Sequence, residues 1–166
     1  AAAERHGSVV MLSEWFGVTS ATTNVASVMN SAGIDVYVVN SYRDHEVPVD
    51  STNAFSTVEG VSGVQRDSEH KMKTLSWAEL AADITTVVDQ LNQNHSGPVA
   101  LMGFSEGAAL ALLASQGAKR LHHICATAVF YGSPGSIYTG TAASLFHASK
   151  VDVPVHLSCG SLDTIA

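Results

Sequence analysis

Val99-Ala100-Leu101-Met102-Gly103-Phe104-Ser105-Glu106-Gly107-Ala108-Ala109-Leu110-Ala111-Leu112-Leu113-Ala114 is the stretch that decides the fold. Its first four residues are apolar and predict a buried strand over 99–102. The segment 105–118, rich in alanine and leucine, predicts a helix. Between them stands Gly-x-Ser-x-Gly. A strand-to-helix turn this tight requires little bulk two residues before and two after the serine, and it holds Oγ above the sheet in a strained conformation. The helix N-terminus also favours negative charge developing there. Ser105 is therefore the candidate nucleophile, and the Glu106 N–H a candidate oxyanion donor. A chance Gly-Ser turn is the competing reading; the strand before and helix after favour the first.

Working outward, apolar and β-branched runs predict further strands over 8–12, 34–39, 124–131 and 153–158. Helices are expected over 19–32, with Val25, Val28, Met29 and Ala32 on the buried face, and over 76–92. The second opens with a Ser76/Glu79 capping box, and its apolar stripe runs Trp77, Leu80, Ala81, Ile84, Val87, Val88, Leu91. A short helix is expected over 142–149, and 41–74 is a long polar connection. Strands alternating with helices imply a three-layer α/β sandwich, with a mostly parallel sheet of about five strands in one domain over 1–166. In such sheets ligands bind at the carboxyl ends of the strands. The loops to inspect are 13–18, 40–74, 103–107, 132–140 and 159–166.

Composition narrows the function. The 166 residues are 46% apolar and 14% charged, which excludes a disordered chain. No uninterrupted apolar run reaches the roughly 18 residues of a membrane span. A net charge of −7 without a basic stripe speaks against nucleic acid and anionic membranes as partners. Two cysteines make no disulfide framework and fit a reduced, cytoplasmic setting. Residues 1–7 lack the charge and apolar pattern of a signal peptide. No metal or cofactor is expected: His122 and His123 are adjacent rather than four apart, there is no Cys-x-x-Cys, and Ser13-Glu14-Trp15-Phe16-Gly17-Val18 is no glycine-rich phosphate loop. Cys159 has no helix after it and makes a poor nucleophile.

Two more loops carry candidate chemistry. In Cys159-Gly160-Ser161-Leu162-Asp163 an aspartate follows the last strand, where it can orient an imidazole. An ordinary Asx turn is the alternative. The segment 13–17 follows the first strand, where a backbone N–H can supply the second half of an oxyanion hole.

These pieces, VVMLSEWFGV at 9–18, IDVYVVNSY at 34–42, LMGFSEGAALALLA at 101–114, VFYGSP at 129–134 and VPVHLSCGSLD at 153–163, resemble the dienelactone hydrolase branch of the α/β-hydrolases. The resemblance implies Ser105 as nucleophile, Asp163 as triad acid, Glu14 as a glutamate contacting the resting nucleophile, and Trp15 as an oxyanion-hole residue. The chain departs from the family in having serine where dienelactone hydrolases have cysteine; serine needs a base that cysteine needs less. A small carboxylic ester or lactone is the expected substrate class.

The family's catalytic histidine lies beyond one further strand, whereas the sequence given ends at Ala166, and the family's first strands would precede Ser8. Of the eight histidines, His45 and His70 in the long loop are the surrogate base candidates, and a second chain could supply another. His147 is expected near the catalytic end, His156 within packing, and His95, His122 and His123 on the opposite end. The resemblance puts strand 34–39 at one sheet edge and strand 153–158 at the other. Exposed edges pair readily, so a homo-oligomer formed along an edge is expected. The alternative to an enzyme is a catalytically inactive, truncated hydrolase core that binds small molecules or a partner.

Overall fold

The computed structural model describes residues 6–42, 76–94, 97–132 and 142–163. Five strands, β1 (Gly7–Leu12), β2 (Ile34–Val39), β3 (Val99–Phe104), β4 (Ile124–Phe130) and β5 (Val155–Ser158), form one sheet in the order β2-β1-β3-β4-β5. Every neighbouring pair is parallel. The expected edges are the observed ones.

Helix α1 (Ser20–Ser31) covers one face of the sheet. Helices α2 (Trp77–Asn94) and α3 (Glu106–Ala114) cover the other, with the short α4 (Ala118–His122) and α5 (Ala142–Leu145) alongside. The larger core lies on the second face, where Val10, Leu12, Val99, Leu101 and Val129 meet Leu80, Ile84, Val88 and the wholly buried α3. The smaller core joins Val9 and Met11 of β1 to Ala26. At the start of α2, Ser76 Oγ accepts from the Glu79 N–H at 3.3 Å, the expected cap.

Three expectations are corrected. The sheet-facing stripe of α1 runs through Thr22 and Ala26, not Val25 and Val28, and Val28 is 70% exposed. Ala26 clusters with Val9 and Met11 of β1, the helix lies closest to β2, and the two valines turn outward. The helix expected over 105–118 ends at Ala114. There the buried Ser115 hydroxyl bonds to the Ala111 carbonyl and to Thr127 Oγ1, both at 2.6 Å, while the Gly117 N–H goes to the Lys150 carbonyl. The last strand begins at Val155, because Pro154 has no N–H to give a ladder.

Edge strand β5 is exposed along its whole length, with Leu157 67% accessible.

Candidate active site

Chain winding reverses between β1 and β3. After β1 the chain crosses by α1 to β2 on one side; after β3 it crosses by α3 to β4 on the other. The loops leaving β1 and β3 therefore diverge, and a crevice opens between them at the carboxyl end of the sheet. Glu14 and Trp15 follow β1 at that end, and Ser105 follows β3.

Ser105 links β3 to α3 with φ +52° and ψ −114°. A non-glycine residue holds such a backbone at a cost of about 1–3 kcal/mol, and only where its surroundings over-determine it. The surroundings are visible. A Cβ on Gly103 would come within 2.2 Å of the Gly107 carbonyl, and one on Gly107 within 2.4 Å of the carbonyls of Leu12 and Ser13. The Ser105 N–H donates to the Phe130 carbonyl at 2.9 Å. The two flanking glycines thus press the start of α3 against both β3 and the end of β1. The Glu106 N–H is the first amide of α3 and has no carbonyl one turn back within the helix.

Trp15 stands in the turn Glu14–Gly17, closed by the Gly17 N–H on the Glu14 carbonyl at 2.9 Å. Its ring packs edge-on to Phe16 and against the larger core. The Glu14 carboxylate accepts a hydrogen bond from the Tyr131 hydroxyl at 2.6 Å. Asp163 follows β5 at the same end of the sheet, exposed, in a turn that its N–H closes on the Gly160 carbonyl at 3.0 Å. One strand, β4, separates it from β3 in the sheet.

Both surrogate bases, His45 and His70, lie outside the described residues, as does His95. His147 is corrected: its N–H bonds to Gln116 Oε1, beyond the far end of α3, which places it away from Ser105. His156 is exposed rather than packed inside, with its ring 6.0 Å from that of Phe130. His122 bonds to both Asp89 carboxylate oxygens at 3.0 Å, joining α4 to α2 before β4 begins. Among the described residues, no histidine is hydrogen-bonded to Ser105.

Sequence reasoning missed three side chains. Tyr131 and Tyr42 both reach the loop after β1; Tyr42 is buried, and its hydroxyl donates to the Trp15 carbonyl. The Glu106 side chain is also buried, with neither carboxylate oxygen hydrogen-bonded. Desolvation pushes its carboxyl up to about 8, so it is largely protonated at neutral pH. A signal existed for it: Glu106 is the single charged residue between Val99 and Ala114. Ser13 Oγ, where α3 crosses β1, is likewise buried and without a hydrogen bond.

Among the described residues no group of three or more His, Cys, Asp or Glu could hold a metal ion, and no helix is long and apolar enough to cross a membrane.

The family model for the dienelactone hydrolase family matches residues 1–166. The chain belongs to that family. Solved structures of similar fold include a candidate dienelactone hydrolase of Klebsiella pneumoniae, at TM-score 0.66 and 16% identity, with 95% of this chain and 62% of that one covered. A dienelactone hydrolase of Anabaena variabilis follows at TM-score 0.62 and 20% identity, covering 96% and 64%. A dienelactone hydrolase-like promiscuous phosphotriesterase from metagenomic libraries gives TM-score 0.61 and 21% identity, covering 98% and 60%. At these identities the likeness is one of fold, that of the α/β-hydrolases. The chain spans about 60–64% of the length of these relatives. No curated protein matches it.

Proposed function

We propose that this dienelactone hydrolase-family chain carries the nucleophile and oxyanion hole of a serine hydrolase acting on a small carboxylic ester or lactone. The backbone of Ser105 carries the reading: a non-glycine residue at φ +52°, wedged between two glycines at a strand-to-helix turn. Such strain persists where a function keeps it.

In this reading Ser105 Oγ attacks the acyl carbonyl and forms a tetrahedral intermediate. Its proton passes to a histidine, and the alcohol leaves with that proton. Asp163 orients the imidazole and stabilises its charged form. The N–H groups of Glu106 and Trp15 hold the oxyanion, which removing one donor would weaken by about 10²–10³ in kcat. Water then repeats the sequence on the acyl-serine. The base is His45, His70, or a histidine from outside the sequence given. Both cysteines, Cys125 and Cys159, are unpaired and exposed, which suits a reducing, cytoplasmic compartment.

A second reading is an inactive hydrolase core with a binding role. It is favoured by the lack, among the described residues, of a histidine bonded to Ser105. Intact-mass analysis after exposure to a fluorophosphonate, with peptide mapping, separates the two. A single adduct on Ser105, abolished by Ser105→Ala, supports the enzyme. Folded protein that takes no adduct supports the binding core.

A further inference from the structure

Three consecutive residues, Phe130, Tyr131 and Gly132, touch both sides of the crevice. The Phe130 carbonyl accepts from the Ser105 N–H. Gly132 lies against the Ser105 backbone, where a Cβ would come within 1.8 Å of the carbonyl oxygen. Between them, Tyr131 extends its hydroxyl across to Glu14 Oε1 at 2.6 Å. From the opposite flank, beyond β2, Tyr42 holds the next residue of the same loop by the Trp15 carbonyl. Two tyrosines, one just after β4 and one after β2, thus pin adjacent residues of the loop after β1.

The Tyr131 tether is built to hold. Its backbone sits at φ +42°, a conformation a tyrosine does not choose, and its N–H is fixed on the Ser158 carbonyl at 2.7 Å. Burial, with the Glu14 carboxylate second, pushes the phenol's pKa up, so the hydroxyl keeps its proton. A hydrogen bond onto a carboxylate is about twice as strong as one between neutral groups.

We propose that Tyr131 is a positioning residue: through Glu14 it sets where the Trp15 N–H stands relative to Ser105, while Tyr42 fixes the other flank of the loop. The proposal rests on the serine hydrolase reading for its catalytic consequence, though not for the positioning itself. Misplacing a reacting geometry by about 1 Å can cost on the order of 10²-fold in rate.

The test is Tyr131→Phe in the whole protein, which keeps the ring and removes only the hydroxyl. Hydrogen exchange at the amides of 13–17 should accelerate about tenfold or more while exchange in β1 and β3 stays slow. Phosphonylation of Ser105 by the fluorophosphonate should slow about tenfold or more. Glu14→Ala should speed exchange in the same loop, and in that background Tyr131→Phe should add nothing to either measurement. Unchanged exchange at 13–17 overturns the proposal, and so does a full effect of Tyr131→Phe in the Glu14→Ala background. If wild type is labelled and Tyr131→Phe is labelled equally fast, the proposal falls and the hydrolase reading stands. If wild type takes no label but exchange accelerates as expected, the positioning stands and the hydrolase reading falls.

Discussion

Gly132 and Ser105 approach so closely that a single added methyl on the glycine would stand 1.8 Å from the serine carbonyl oxygen. The end of β4 is therefore the backstop of the elbow. Backbone lies on both sides of this contact, and backbone cannot rotate away as a flexible side chain would. Gly132→Ala should destabilise the protein by about 3 kcal/mol, at the upper end for overpacking. Urea unfolding would measure this, and an unchanged midpoint would refute it.

Ser105 offers the opposite case. At φ +52° glycine carries little of the strain that serine does. Ser105→Gly should raise stability by about 1 kcal/mol or more and abolish fluorophosphonate labelling, the usual exchange of stability for function at a strained site. Thermal unfolding of the two proteins is the check; a lower melting temperature for the glycine variant would count against the strain.

Glu106 makes a prediction about pH. Its carboxyl is held at about 8 when folded, against an ordinary value of 4.5. Between those values the folded protein binds the proton more tightly than the unfolded chain, so stability falls as pH rises through this window. Below it both states are protonated, and above about 8 the penalty levels off. The penalty at pH 8 is a few kcal/mol by linkage. Glu106→Gln cannot ionise. Its stability relative to wild type should grow from pH 4.5 to pH 8, measured by urea unfolding across that range. A constant difference would show that the carboxyl ionises freely.

Edge strand β5 makes a prediction about assembly. Val155 and Leu157 are 36% and 67% exposed, and the strand's outer side is unpaired within the described sheet. Unprotected apolar edges pair with other edges. The chain 1–166 should form dimers or larger species at micromolar concentration, and Leu157→Lys should shift them toward monomer. Size-exclusion chromatography with light scattering reads this directly; monomer alone for the unsubstituted chain would rule the edge pairing out.

Much of the fold was legible because strands and helices announce themselves by local pattern. Ile34–Val39 is rich in β-branched residues, and its bounds match the observed strand. The stripe from Trp77 to Leu91 gave α2 and its buried face, since Trp77, Leu80, Ile84, Val88 and Leu91 are all buried. Helix α1 was harder. Thr22 and Ala26 are weakly apolar, so Val25 and Val28 dominate the pattern, and only the packing of Ala26 with Val9 and Met11 shows which side faces in. The placement of His147 also depended on a contact, with Gln116, that no local spacing encodes.

By itself the sequence determined the parallel α/β architecture, the elbow at Ser105 and the loops at the carboxyl ends of the strands, because strand periodicity and glycine spacing are properties of neighbours along the chain, whereas the order of the strands rested on the family resemblance. Tertiary structure decided how those loops are held. Tyr131 meets Glu14 across 117 residues and Tyr42 meets Trp15 across 27. Glu106, charged on paper, is buried by the packing of α3 and becomes largely neutral near pH 7. Such pairings and desolvations arise only when distant elements close on one another, so the identity of a residue does not announce them.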